Sequence, residues 1–392
     1  MRRLLLMVPA AMILLPGCDT TPAGDAAGVT STIDTIGGVE RIVNRGRPAA
    51  WTLTERLALG SGGGAGEARE DEFGRIGTVI ATDDGRIFVA DLTTTEVRIF
   101  GPDGVYRALL GRSGAGPGEF RTPASLALLG DTLMVLDPGN GRIGLHSLDG
   151  EWLGHLPYMA LTGPVARLYP TGRHEVYSPT IRVAGGRGDL AFVRQLGSGP
   201  ADTLAVVRDS RAASLSVTCR HGPAISFFSS DLSPQSIAAP APGARQAVAW
   251  SGEYRIGFIN PAGDTVRTVE RDLPPRPVTD DEWRAEEKRF QEFLDGIEDE
   301  QCDRRTLPRP DRGRLLHALF FDDQSRMWIE RHAGSGRTFD VYDPDGWLIA
   351  EAAAPARLER VQPHVRAGRL YLVTADSLEV ESVRVYDIVG RG

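Results

Sequence analysis

The residues able to do chemistry in this chain are few and scattered. Seven histidines stand among 392 residues, and a metal-dependent reaction would need several of them, or of the acids, to meet at one point. Sequence neighbours do not supply such a group. His174-Glu175 lacks the second histidine that would put two imidazoles on one helix face. No Gly-x-Ser-x-Gly turn exposes a serine nucleophile. The Gly-rich segments 60–66 and 114–118 are followed by neither Gly-Lys-Ser/Thr nor a helix start, so they do not read as phosphate cradles. Cys219 and Cys302 have no CxxC partner and no His at ligand spacing. The sequence therefore assigns no catalytic residue, no metal ligand and no cofactor.

The elements that must position these residues are easier to read. Gly 46 and Pro 26 exceed ordinary usage without a three-residue period, so the turn formers punctuate many short elements and the chain is all-β. Residues 76–112 form four apolar runs, each closed by a Gly, Asp or Pro turn, and 124–158 repeat them. A weaker third copy begins near Val165. A fourth shows Ala247–Trp250 to Val266–Val269, a fifth Leu316–Phe321 to Trp347–Ala350, and a sixth Val361–Val365 to Val383–Val389. Equivalent second strands are 46, 42 and 43 residues apart where no insertion intervenes, which is the period of a propeller blade.

The sixth copy lacks a fourth strand, and Trp51–Gly60 matches the strand ending Leu109-Leu110-Gly111. An N-terminal strand that closes the last blade removes the open edge of the ring. The expectation is an all-β, six-bladed β-propeller over 51–392, with insertions at 208–245 and 273–313. A seventh blade enters only if 208–245 contains one. The second insertion carries one short helix at about 280–298: Thr279-Asp280-Asp281-Glu282 is a capping box, and Trp283, Phe290, Phe293, Leu294 and Ile297 follow at helical spacing.

Met1-Arg2-Arg3, the apolar run Leu4–Leu15 and Leu15-Pro16-Gly17-Cys18 form an export signal over 1–17, too short for a bilayer span. Leu15–Cys18 resembles the lipobox of bacterial lipoproteins, with Pro16 a departure from the usual pattern. That resemblance implies cutting before Cys18 and lipidation of its sulfur, with 18–50 as a lipid-anchored leader in the cell envelope; an ordinary signal peptide cleaved nearby is the alternative. Loss of Arg2 and Arg3 leaves 42 cations against 52 acids, a net charge of −10. With no Lys/Arg cluster, nucleic acid is excluded as a partner. In an exported chain Cys219 and Cys302 are either a disulfide or two separate thiols.

Two stretches carry a further resemblance. The first is Phe73, Gly85–Asp91 and Val97–Phe100; the second runs Gly114–Phe120, Gly130–Leu133, Asp137, Gly139-Asn140 and Arg142-Ile143. Both resemble NHL-type repeats, and the leader Ile36–Asn44 and Pro48–Trp51 resembles that of exported bacterial six-bladed propeller lipoproteins. The resemblance implies a propeller that binds something on its loop-rich face. Asp91 and Asp137 read first as scaffold, accepting hydrogen bonds from turn amides.

Enzymes of related architecture hold calcium or zinc in the channel. Here His317 and His364 sit nine and five residues before Arg326 and Arg369, so they occupy different levels. Neither the three-His zinc site of amidating lyases nor the calcium site of gluconolactonases is matched residue by residue. The favoured function is a membrane-anchored module that binds a small ligand or an envelope protein. Arg121, His174, Arg182, Trp250 and Trp283 are the expected ligand face, with solvated or packing roles as the bland reading of each. A metal-dependent lyase or lactonase-type hydrolase is the alternative.

Overall fold

The computed structural model describes residues 28–60, 72–158, 168–172, 175–184, 187–196, 201–207, 214–218, 225–243, 245–296, 306–334, 336–358 and 360–390. The chain enters as a hairpin, β1 (Val29–Ile36) and β2 (Val39–Gly46), and continues into the long strand β3 (Ala49–Leu59). Blade one is β4 (Ile76–Ala81), β5 (Ile87–Asp91), β6 (Glu96–Phe100) and β7 (Tyr106–Leu110). Blade two is β8 (Ser125–Leu129), β9 (Thr132–Asp137), β10 (Arg142–Ser147) and β11 (Trp152–Pro157). Blade three is β12 (Tyr169–Gly172), β13 (Glu175–Ala184), β14 (Arg187–Leu196) and β15 (Ala201–Val207).

A separate hairpin, β16 (Ser214–Thr218) and β17 (Ile225–Ser229), precedes blade four, which is β18 (Ser236–Ala241), β19 (Arg245–Trp250), β20 (Arg255–Ile259) and β21 (Thr265–Arg271). Helix α1 (Asp280–Asp295) leads to blade five, β22 (Leu316–Phe321), β23 (Met327–Ala333), β24 (Gly336–Tyr342) and β25 (Leu348–Ala353). Blade six is β26 (His364–Arg366), β27 (Arg369–Ala375) and β28 (Glu381–Val389), with β3 as its outer strand. The molecule is a six-bladed propeller.

Burial explains the strand sequences. Second strands are covered on both faces by neighbouring blades, and β5 (Ile-Phe-Val-Ala-Asp) is buried at every position. The outer strand β7 has one covered face and alternates half-buried with exposed residues. The core therefore lies between blades, not inside any one sheet. Two charged contacts seal such seams. Ile76 N of blade one donates to Glu381 Oε2 of blade six at 2.6 Å, where Arg360 also pairs with Glu381. Asp340 of blade five is fully buried between Arg271 of blade four at 2.6 Å and Arg331 at 2.8 Å, and it accepts the Tyr254 hydroxyl at 2.6 Å.

Closure is as the repeat pattern requires, with β3 antiparallel to β28 from Leu59↔Val383 to Thr52↔Val389. The boundaries differ from the sequence expectation in three places. Within the expected leader 18–50, residues 29–46 form a hairpin whose second strand joins blade four in parallel, Glu40↔Arg267 to Asn44↔Arg271. Alternation in β1 and β2 is weak, which hid them. The expected insertion 208–245 includes β18, the inner strand of blade four, whose Pro240 and alanines give little apolar signal. Among the described residues it contains no seventh blade. The helix ends at Asp295 with Gly296 as its cap, rather than near 298.

The N-terminal segment fastens three blades. Arg41 binds Glu270 of blade four bidentately at 3.1 and 2.8 Å. Buried Asn44 donates to the Gly346 carbonyl of blade five at 3.1 Å and accepts Leu348 N at 3.0 Å. Gly346 turns at φ +93°, and a Cβ there would meet Val269 of blade four at 2.9 Å and Ile42 of the hairpin at 3.0 Å, so only glycine lets this turn approach their seam. The chain then pairs Ala49–Trp51 with Ala350–Ala352 of blade five before crossing to blade six.

Candidate functional site

In each antiparallel blade the inner strand starts and the outer strand ends on one face of the ring, here called the loop face. The inner strands bound a channel cavity of about 200 Å3. Its walls come from β4, β8 and β26 with the residues just before it, closed by Leu168 at the entry to blade three and Phe321 from blade five. Apolar residues outnumber polar ones in the lining, but the exposed wall is split almost evenly between polar and apolar surface. The polar groups are Thr78, Ser125, Gln362, His364 and Arg366.

Local hydrogen bonds fix several of these groups. Thr78 Oγ1 donates to the Ala124 carbonyl at 3.2 Å, and Ser125 Oγ accepts Leu168 N at 3.1 Å, so the wall residues also link successive blades. His364 Nε2 lies 3.4 Å from the Ala81 carbonyl, with its ring against Tyr371. Burial pushes this imidazole down to about 4, and Arg366 adds to the effect. It is neutral at pH 7. Arg366 Nε donates to Asp83 Oδ1 at 2.7 Å. Among the described residues no hydrogen bond joins Ser125 or Thr78 to His364, so no hydroxyl is paired with a base. Such a chamber selects by shape and a few hydrogen bonds.

The loop face carries a cap. Its two parts come from the two insertions, which the sequence treated separately and the structure packs together. Phe228 of β17 meets Phe290 and Phe293 of α1 at centroid distances of 4.9 and 5.4 Å. The Arg289 guanidinium lies 4.5 Å over the Phe228 ring, and Asp231 N donates to Glu286 Oε1 at 3.0 Å. The capping box holds as read: Thr279 Oγ1 accepts Glu282 N, and Glu282 reaches back to Thr279 N.

Beside the cap, His317 at the start of β22 and His332 in β23 have ring centroids 5.9 Å apart. Burial, then Arg337 and Arg314, push His317 down to about 2. Burial and Arg276 lower His332, while Glu282 of α1 opposes the shift. Register confirms that His317 and His364 lie at different heights. His364 faces Tyr371, the place that Phe320 holds against Trp328 in blade five, three residues beyond His317. Among the described residues no three His, Cys, Asp or Glu side chains gather in a way that could hold a metal ion.

Of the expected ligand-face residues, three have described side chains. Arg121 is exposed in the connection from β7 to β8, its backbone N–H held by Asp137 at 3.2 Å. Trp250 ends β19, half-buried on the loop face. Trp283 is half-buried on α1, with the Arg309 guanidinium 6.0 Å over its ring. Among the described residues no contact joins these three to one another. Arg182 lies in β13, but its side chain is outside the described residues, as are His174, Cys18, Cys219 and Cys302. The channel group of Thr78, Ser125, Gln362 and Arg366 was not singled out from sequence. Its signal was available in position, since all four sit at inner-strand level of a recognised repeat.

A family model described as a 6-bladed beta-propeller, DUF5128, matches residues 68–161, which span blades one and two. No curated protein matches the chain. Among solved structures, the chain is similar to a putative exported protein from Bacteroides fragilis at 8% identity and TM-score 0.48, covering 87% of this chain and 95% of that one. It is also similar to a member of the DUF4221 family from Bacteroides vulgatus at 10% identity and TM-score 0.43, covering 88% and 100%. A third similarity is to virginiamycin B lyase from Staphylococcus aureus, at 10% identity and TM-score 0.43, covering 86% and 100%. At these identities no activity transfers.

Proposed function

We propose that this chain is an exported, lipid-anchored propeller that binds a small, uncharged molecule with both polar and apolar groups in its channel. The observation that carries this reading is the chamber of about 200 Å3 walled by the inner strands of blades one, two and six. Its histidine is held neutral, its arginine is paired with Asp83, and its hydroxyls hold neighbouring blades. Nothing in that arrangement demands a charged ligand. Cys18 carries the lipid, so the ligand is met outside the cytoplasm. The cap built by α1 and β17 serves as the surface for an envelope partner, and a Cys219–Cys302 bond would join the two insertions that pack through Phe228, Phe290 and Phe293.

Native mass spectrometry of the processed chain tests the channel reading, with S125F as the variant that fills the chamber. A small-molecule mass bound to the wild type and absent from S125F supports it; the same mass on both overturns it. Elemental analysis separates the catalytic alternative, which requires stoichiometric calcium or zinc in the purified protein.

A further inference from the structure

The N-terminal segment leaves the ring on the loop face. Val29 pairs with Gly46, and Asn44 with Arg271, so β1 begins where the outer strand of blade four ends. Arg47 N donates to the Gly28 carbonyl at 3.0 Å and pins that exit. Cys18 lies ten residues before Gly28, and a tether of that length spans at most about 35 Å. To bring the opposite face to the bilayer, the tether would first run back along the eight residues of β1, which uses about 27 Å of that reach.

The charge around the exit is of the opposite sign to that of the whole chain. Arg45, Arg47, Arg255 and Arg312 have side chains 51%, 89%, 60% and 45% exposed, and all but Arg47 border a groove of about 350 Å3. Asp272 and Glu253 answer two of them, at 3.2 and 3.5 Å. Arg255 meets Glu270 at 3.3 Å and Arg47 meets Glu351 at 3.8 Å, but each of these acids is shared, Glu270 with Arg41 and Glu351 with Arg271 and Arg331. The edge therefore has a surplus of positive charge in a processed chain of net −10. Helix α1, with sequence DDEWRAEEKRFQEFLD, is strongly acidic.

We propose that the protein lies on its own anchoring membrane with this basic edge of the loop face against anionic lipid headgroups. The acidic α1 is then held off the headgroups, facing whatever approaches along the membrane. The inference rests on the Cys18 anchor proposed above.

Lys288, on α1, is the only lysine, so an amine-reactive fluorophore can be moved at will. K288R/R255K places it on the basic edge, K288R/Q324K places it on the opposite face, and K288R alone is the blank. The lipidated protein is reconstituted in phosphatidylcholine vesicles, with or without about 30% phosphatidylglycerol, carrying a headgroup nitroxide quencher. With phosphatidylglycerol, quenching at the edge exceeds that on the opposite face by about twofold or more, Lys288 falls between, and the difference shrinks in high salt. R45E/R312E removes the difference, its fold checked by circular dichroism. Equal or reversed quenching in protein that floats with the vesicles overturns the orientation and leaves the anchor standing. If C18S floats as wild type does, the anchor fails and takes the inference with it.

Discussion

Asp91 and Asp137 show how a fully buried carboxylate serves as scaffold. Asp91 accepts Gly74 N at 3.0 Å from the connection before its blade and Thr93 N at 2.9 Å from the turn after its strand. Asp137 accepts Thr122 N at 2.8 Å and Asn140 Nδ2 at 2.6 Å. Each thus fixes where the chain enters an inner strand. D137A leaves several half-buried donors without their acceptor, and urea unfolding should show a loss of roughly 1–3 kcal/mol. The buried histidines carry a prediction about pH. His146, packed between Phe120 and Trp152 at 5.6 and 5.1 Å, is pushed by burial down to about 4, as His364 is. The unfolded chain takes up these protons near pH 6.5 and the folded one only near 4, so their stabilisation is complete above 6.5 and is lost as pH falls through that window. Each contributes a slope of about 1.4 kcal/mol per pH unit there. Between pH 6.5 and 5, before most carboxylates titrate, H146F should flatten the measured dependence; an unchanged slope would mean that His146 is already protonated in the fold.

The cap behaves as a unit apart from the ring. Phe228, Phe290 and Leu294 form their own small cluster, with Phe293 and Leu307 packed against it. F228A should release α1, raising its amide hydrogen exchange, while the blades keep their protection. T279A should weaken the helix by about 1 kcal/mol through loss of the cap bond, readable as fraying of its first turn in the same experiment. The start of α1 is legible in the sequence because a capping box is a local code, and its end is not, because no αL glycine marks the stop. The blades were legible for a similar reason: each turn and each doubly buried strand announces itself within a few residues. The docking of one insertion on the other, and the convergence of Thr78, Ser125 and Gln362 on the channel, depend on contacts between residues far apart in sequence. No local pattern encodes them.

At the scale of the whole ring, stability should depend on residues that a repeat count does not include. A chain starting at Ala49 keeps β3 and a closed sixth blade but loses the buried Val29, Ile42 and Val43 of the hairpin. Roughly 4–8 kcal/mol should go with them, seen as a lower melting temperature with a single transition retained. A chain starting at residue 61 also loses β3, exposing the edge of β28, and should unfold in more than one step or aggregate. The same N-terminal strands set the order of assembly. Asn44 meets Arg271, and Leu59 meets Val383, across more than two hundred and more than three hundred residues. With the pairing of Ala49 and Ala350, these long-range contacts carry a high loop-closure cost. Strand β3 is made before blade one yet finds its last partner only when β28 has been delivered, and until then the chain has no closed native state in which to be trapped.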